Sequence, residues 1–151
     1  MNYQSDSLVE VPETAAGPDD GSMIALLETA RSVQEKLEKV LDSVGLSPAK
    51  YQALDALVRA EQPLALSELA GCLNCVRSNI TQLMDRLEAE GLVKRVDDPN
   101  DRRGVLATVT PLGLERQAAG AKQLALVQKE FAKALAGTDR DTLARVLAAM
   151  R

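Results

Sequence analysis

The chain has 151 residues, a net charge of −4, 26% charged and 46% hydrophobic residues, no His, no Trp and one Phe. That length and balance fit a single globular domain with room for a core. The absence of imidazole removes Ser–His and Cys–His catalysis and the commonest nitrogen ligand for metals, and the scarcity of aromatic rings removes stacking platforms for single-stranded nucleic acid, so neither an enzyme nor a cofactor is expected.

Residues 1–22 hold Asp6, Glu10, Glu13, Asp19 and Asp20 but no Lys or Arg, and are broken by Pro12, Gly17, Pro18 and Gly21. They read as a flexible acidic tail, and without its five acids the remainder stands at +1. No apolar run reaches membrane-spanning length and no signal-peptide pattern opens the sequence, so a cytoplasmic protein without membrane contact is expected. From Ile24 the apolar residues Leu27, Val33, Leu37, Leu41 and Val44 follow helical spacing, and Gly45 ends that helix. Ser47-Pro48, a cap followed by Pro at the first helical position, opens a second helix through Tyr51, Leu54 and Leu57 that stops before Pro63.

Residues 64–66 read as a short extended piece, with Ser67 capping a helix over 68–73. Asn74 sits in a turn, and a helix over 76–90 follows with Ile80, Leu83, Met84 and Leu87 on its inner side and Gly91 at its end. Strands are predicted over 92–97 and 105–109, joined by a turn around Asp98-Pro99-Asn100-Asp101 that puts Asp101-Arg102-Arg103 at the hairpin tip. Thr110-Pro111 repeats the cap-then-Pro signal and opens a long helix through Leu114, Leu124, Val127, Phe131 and Leu135. Gly137 ends it, Thr138-Asp139-Arg140-Asp141 resembles a capping box, and Leu143, Val146, Leu147 and Met150 mark a final amphipathic helix.

The expected fold is mainly α with a small β-hairpin wing. It comprises the tail (1–22), an N-terminal dimerisation helix (23–46), a winged helix-turn-helix lobe (47–110) and C-terminal dimerisation helices (111–151). The outer helices are apolar on one face, and a two-fold dimer is the natural partner for a protein that reads two half-sites.

The chemistry lies in the helix over 76–90 and the hairpin behind it. Arg77, Ser78, Asn79, Thr81 and Gln82 fall largely off the apolar face near the helix start, while the acids Asp85, Glu88 and Glu90 come later. Planar amides pair bidentately with adenine and guanidinium with guanine, and a helix N-terminus adds donors for phosphate. Arg102 and Arg103 are suited to a narrow minor groove, with Asp101 orienting one of them through a carboxylate–guanidinium bond.

This segment resembles the MarR family of bacterial transcriptional regulators. The resemblance rests on VRSNITQLMDRLEAEGLVKR, on the wing DPNDRR, and on Asp101-x-Arg103 followed by Val109-Thr110-x-x-Gly113. It covers about a third of the chain closely, and helix order and length agree over most of the rest. The resemblance implies an obligate homodimer built by the terminal helices and a pseudo-palindromic double-stranded promoter site, used in repression. It puts the recognition positions on Arg77, Ser78, Asn79, Thr81, Gln82 and Arg86 and the wing arginine on Arg102 or Arg103. It also implies a small-molecule effector pocket between the dimer helices and the DNA-binding lobe, for which Leu37, Tyr51 and Leu54 are the candidates. The chain departs from the family at Val76, where many members carry a Ser or Thr cap.

Cys72 and Cys75 form a C-x-x-C inside the helix-turn-helix. Zinc would need two more ligands from a chain without His or further Cys, so no metal site is expected. An alternative reading is a thiol-based redox regulator using this pair, and a third is a winged-helix protein–protein adaptor.

Overall fold

The computed structural model describes residues 21–73 and 77–149, apart from the side chains of Ser22, Arg77, Ser78 and Arg102. In chain order the elements are α1 (Ser22–Asp42), α2 (Pro48–Ala60), β1 (Leu64–Ala65), α3 (Leu66–Cys72), α4 (Arg77–Ala89), β2 (Val93–Asp98), β3 (Asp101–Val109), α5 (Pro111–Ala134) and α6 (Arg140–Ala149). The chain divides into two units, Met1–Val33 and Gln34–Arg151. In the first, the opening turns of α1 present Met23, Ile24 and Leu27 as exposed side chains. The second holds the core and the elements from α2 onward.

Two helices there end by the same device. Gly45 and Gly91 adopt φ of +74° and +71°, the left-handed region open to glycine. Leu46 N–H then donates to the Leu41 carbonyl and Leu92 N–H to the Leu87 carbonyl, at 3.0 and 2.9 Å. In each case the two leucines that bracket the turn are buried, so the hydrogen bonds and an apolar contact close the helix end together. The helix starts follow the cap-then-Pro signal. Ser47 Oγ accepts from Lys50 N–H at 3.3 Å and Thr110 Oγ1 from Gly113 N–H at 3.0 Å, with Pro48 and Pro111 behind them.

Two other caps differ from the sequence expectation. Ser67 is not the cap of α3. The helix begins at Leu66, and the Glu68 carboxylate reaches back to accept from Ala65 N–H at 2.9 Å. The reason is tertiary: Leu64 and Ala65 pair with Ala107 and Leu106 of β3, so the strand ends where the helix starts and Ser67 falls inside the first turn. At α6 the cap is Asp139 rather than Thr138. Its carboxylate accepts from the N–H groups of Asp141 and Thr142 and from the Thr142 hydroxyl, and these bonds hold the Asp139 pKa below the usual carboxylate range. Met150 lies outside the described residues.

The sheet has three antiparallel strands in the order β1-β3-β2, one more than the two-stranded hairpin expected. The core gathers beneath it from α2 (Ala53, Leu54, Leu57), α3 (Leu69), α4 (Ile80, Met84, Leu87) and the strands (Val93, Ala107). Ile80, Met84 and Leu87 have no solvent exposure. Truncating any one to Ala removes a fully buried side chain, at a cost of about 2–5 kcal/mol, so this stripe alone fixes which face of α4 turns outward. α5 lies close to α2: a β-carbon at Gly120 would stand 2.7 Å from Tyr51 Cδ2. Gln117 Nε2 donates to Asp55 Oδ1 at 3.0 Å, and Asp55 also pairs with Arg59 at 2.8 Å. Among the described residues no helix is long and apolar enough to cross a membrane.

Candidate nucleic-acid interface

The inward stripe at positions 80, 84 and 87 leaves Asn79, Thr81, Gln82 and Arg86 exposed, and the first turn of α4 contains no acid. Asn79, Gln82 and Arg86 are spaced three and four apart and therefore share one side of the helix. Arg77 and Ser78 belong to the same helix by their backbone, and their side chains lie outside the described residues. Asn74, Cys75 and Val76, the expected turn and start of the helix, also lie outside the described residues.

Asp85 and Glu88 stand toward the far end of the helix. Both are engaged by Arg95 of β2. Arg95 Nη2 donates to Asp85 Oδ1 at 2.5 Å, Nη1 pairs with Glu88 Oε2, and the Arg95 backbone N–H donates to Glu88 Oε1 at 3.3 Å. The hydrogen bond to Asp85, followed by that to Glu88, raises the Arg95 pKa above its ordinary value. Side chains alternate along a strand, so Arg95 shares its face with the buried Val93 and is aimed at α4. The signal for this in the sequence was only two acids three apart, because the spacing to Arg95 depends on how β2 folds back along the helix. Glu90 is engaged as well, by Lys50 Nζ at 2.5 Å.

The wing is built differently at its tip from the expectation. Asp98 pairs directly with Asp101, which makes Pro99-Asn100 a two-residue turn, whereas Asp97 pairs with Val105. Arg102, Arg103 and Gly104 are therefore extra residues on β3, a bulge that follows the turn rather than the turn itself. Asp101 does not hold the Arg103 guanidinium. Its Oδ1 accepts from the Arg103 backbone N–H at 2.9 Å, as Asp98 Oδ1 accepts from Asn100 N–H at 2.8 Å. A short carboxylate reaches the backbone two residues on more readily than a guanidinium swung away from it. Asp101 thus shapes the backbone of the bulge, and the Arg103 side chain is exposed. The Arg102 side chain lies outside the described residues.

The remaining candidates divide. Leu54 has no exposure and belongs to the core. Tyr51 and Leu37 are half-buried; burial first, and then the charge of Asp55, raises the Tyr51 pKa above 10.0. Clefts of about 680 and 710 Å³ open elsewhere on this unit, the first beside Arg59 and Cys72 and the second beside Lys39 and Ser47, and neither is lined by Leu37, Tyr51 or Leu54. Cys72 is an exposed free thiol, and its proposed partner Cys75 lies outside the described residues. Among the described residues no group of three or more His, Cys, Asp or Glu is placed to hold a metal ion.

A model of the MarR family matches residues 44–104, which run from the end of α1 to the wing bulge. The HTH-type transcriptional repressor YetL of Bacillus subtilis is 30% identical over 113 residues, covering 72% of this chain and 68% of YetL. The chain spans about half the length of other curated relatives, such as 51% of the HTH-type transcriptional regulator PrsX of Escherichia coli, to which it is 34% identical over 85 residues. Among solved structures, the transcriptional repressor CouR of Rhodococcus jostii RHA1, in its form bound to a 23-mer DNA duplex, superposes with a TM-score of 0.70 at 30% identity, covering 83% of this chain and 89% of that one. With the three-stranded wing, the helix pair beneath it and these matches together, the chain belongs to the MarR family of winged helix-turn-helix transcriptional regulators.

Proposed function

We propose that the protein is a homodimeric regulator that binds pseudo-palindromic double-stranded promoter DNA in the cytoplasm, represses transcription there, and is released by a small-molecule effector. The observation that carries the reading is the outward face of α4, where Asn79, Thr81, Gln82 and Arg86 are exposed while the carboxylates of Asp85 and Glu88 are paired with Arg95. In this reading α4 enters the major groove, with Arg77, Ser78, Asn79, Thr81 and Gln82 at base edges or phosphates and Arg86 at the backbone. Arg102 and Arg103 of the bulge enter the adjacent minor groove, and Asp101 keeps the bulge in shape.

Dimerisation is supported by the apolar side chains that this single chain leaves in water on its C-terminal helices, among them Leu126, Phe131, Val146 and Leu147. A second copy is the occupant that the symmetry of a two-half-site target calls for. Repression follows the similarity to YetL and CouR, both repressors, and effector release follows CouR, which has also been solved with p-coumaroyl-CoA. Selection of bound sequences from a random duplex pool tests the core of the reading. A palindromic consensus is expected. A single unrepeated half-site would remove the symmetric dimer, and no enrichment at all would leave the adaptor reading in its place.

A further inference from the structure

The three contacts that Arg95 makes with α4 do more than fasten the wing. Asp85 lies three residues from Gln82 and four from Thr81, on the flank of the face assigned to DNA, and its side chain is 59% accessible. Glu88, 39% accessible, stands one turn beyond Asp85. Two carboxylates so placed would meet the phosphates of any duplex lying along α4 and oppose binding electrostatically. The structure gives them one shared cation. Arg95 presents the two ends of a single guanidinium, one to each acid, and its backbone N–H holds the second oxygen of Glu88.

We propose that Arg95 is a positioning residue for DNA binding: it acts without touching DNA, by holding Asp85 and Glu88 neutralised and turned toward β2 so that the outward face of α4 stays attractive to phosphate. This rests on the reading of α4 as the DNA-facing helix. Planarity is what makes the residue type matter. A guanidinium offers two parallel edges to two carboxylates, whereas an ammonium is a single point charge. Arg95 also pairs in register with Ala107, a residue of the central strand with no exposure, so its Cα is fixed by the sheet rather than by the helix it serves.

The test is a set of variants measured by fluorescence anisotropy on the selected duplex, with melting temperature and salt dependence recorded in parallel. Arg95→Ala is expected to bind about tenfold or more weakly at low salt, because two unpaired carboxylates per protomer then face the polyanion, with the deficit narrowing as salt screens it. The triple variant Arg95→Ala/Asp85→Asn/Glu88→Gln is expected to regain most of that affinity, although it lacks the same guanidinium and packs no better. Arg95→Lys is expected to fall between wild type and Arg95→Ala. If Arg95→Ala binds like wild type, or if the folded triple variant stays as weak as Arg95→Ala, the proposal is overturned. Should Arg95→Ala fail to fold, Asp85→Asn/Glu88→Gln with Arg95 retained decides: freeing a cation beside DNA is expected to tighten binding several-fold at low salt, and a loss overturns the charge account. Gln82→Ala, measured alongside, reports on the interface itself. If it leaves binding untouched the α4 interface is wrong. If it weakens binding and the triple variant does not recover, the interface stands and the role of Arg95 falls.

Discussion

Gly113 lies so close to Leu92 that a β-carbon on it would stand 2.0 Å from the Leu92 carbonyl oxygen. The same oxygen accepts from Thr110 N–H at 3.1 Å, and the Thr110 hydroxyl donates to the neighbouring Gly91 carbonyl at 2.6 Å. The first turn of α5 is thereby clasped to the residues that close α4. The backbone of Gly113 and Thr110 thus meets the backbone of Gly91 and Leu92 with little space for a side chain between.

Gly113→Ala forces that contact apart. Overpacking against backbone costs about 1–3 kcal/mol, and here the obstacle is an oxygen that cannot rotate away, so the upper part of that range is expected. Chemical denaturation should show a lower midpoint with an unchanged slope. An unaffected midpoint would mean that α5 moves freely against the end of α4.

Gln82→Ala and Asn79→Ala are expected to change which sequences are preferred more than the affinity for arbitrary duplex. Each lost bidentate base contact should cost about 1–3 kcal/mol on the matching site. Arg103→Ala and Arg102→Ala should instead weaken binding across sequences while melting stays as in wild type. Equal losses on matched and random duplexes for Gln82→Ala would place that residue on the backbone.

Salt titration measures the electrostatic footprint. Arg77, Arg86, Arg102 and Arg103 from two subunits would neutralise roughly six to eight phosphates, giving a log–log slope near −5 to −7 at about −0.9 per phosphate. A slope near zero would refute this mode of binding and favour the adaptor.

Leu147→Asp places a charge on a side chain that is 43% exposed in the single chain and adjoins Val146 at 46%. Burying an unpaired carboxylate in an interface is strongly unfavourable, so the dimer should dissociate and binding to a full palindrome should fall with it. Sedimentation that finds the variant still dimeric would move the contact between subunits elsewhere.

The raised pKa of Tyr51 has a consequence at alkaline pH. The folded protein keeps the phenol protonated to higher pH than the unfolded chain does, so the associated stability is full below pH 10.0 and is lost as pH rises through the folded-state value. Tyr51→Phe should flatten the decline of melting temperature above pH 10.0. An identical decline in both proteins would assign it to other groups.

Local chemistry made much of this protein legible from its sequence. Gly45, Gly91, Ser47-Pro48 and Thr110-Pro111 end or begin helices through bonds spanning a few residues, so the helices they bound follow from the residues themselves. The apolar spacing of Ile80, Met84 and Leu87 likewise chose the outward face of α4 before any neighbour was known. What tertiary structure alone decided involves partners distant in the chain. Pairing of Leu64 and Ala65 with β3 added a third strand and moved the start of α3 off Ser67. The register between β2 and β3 turned Arg102 and Arg103 from a tip into a bulge and gave Asp101 a backbone partner. The fold of β2 along α4 brought Arg95 to Asp85 and Glu88, and no periodicity reports such a contact, because the strand's register and the helix's rotation are set by the packing of the whole core.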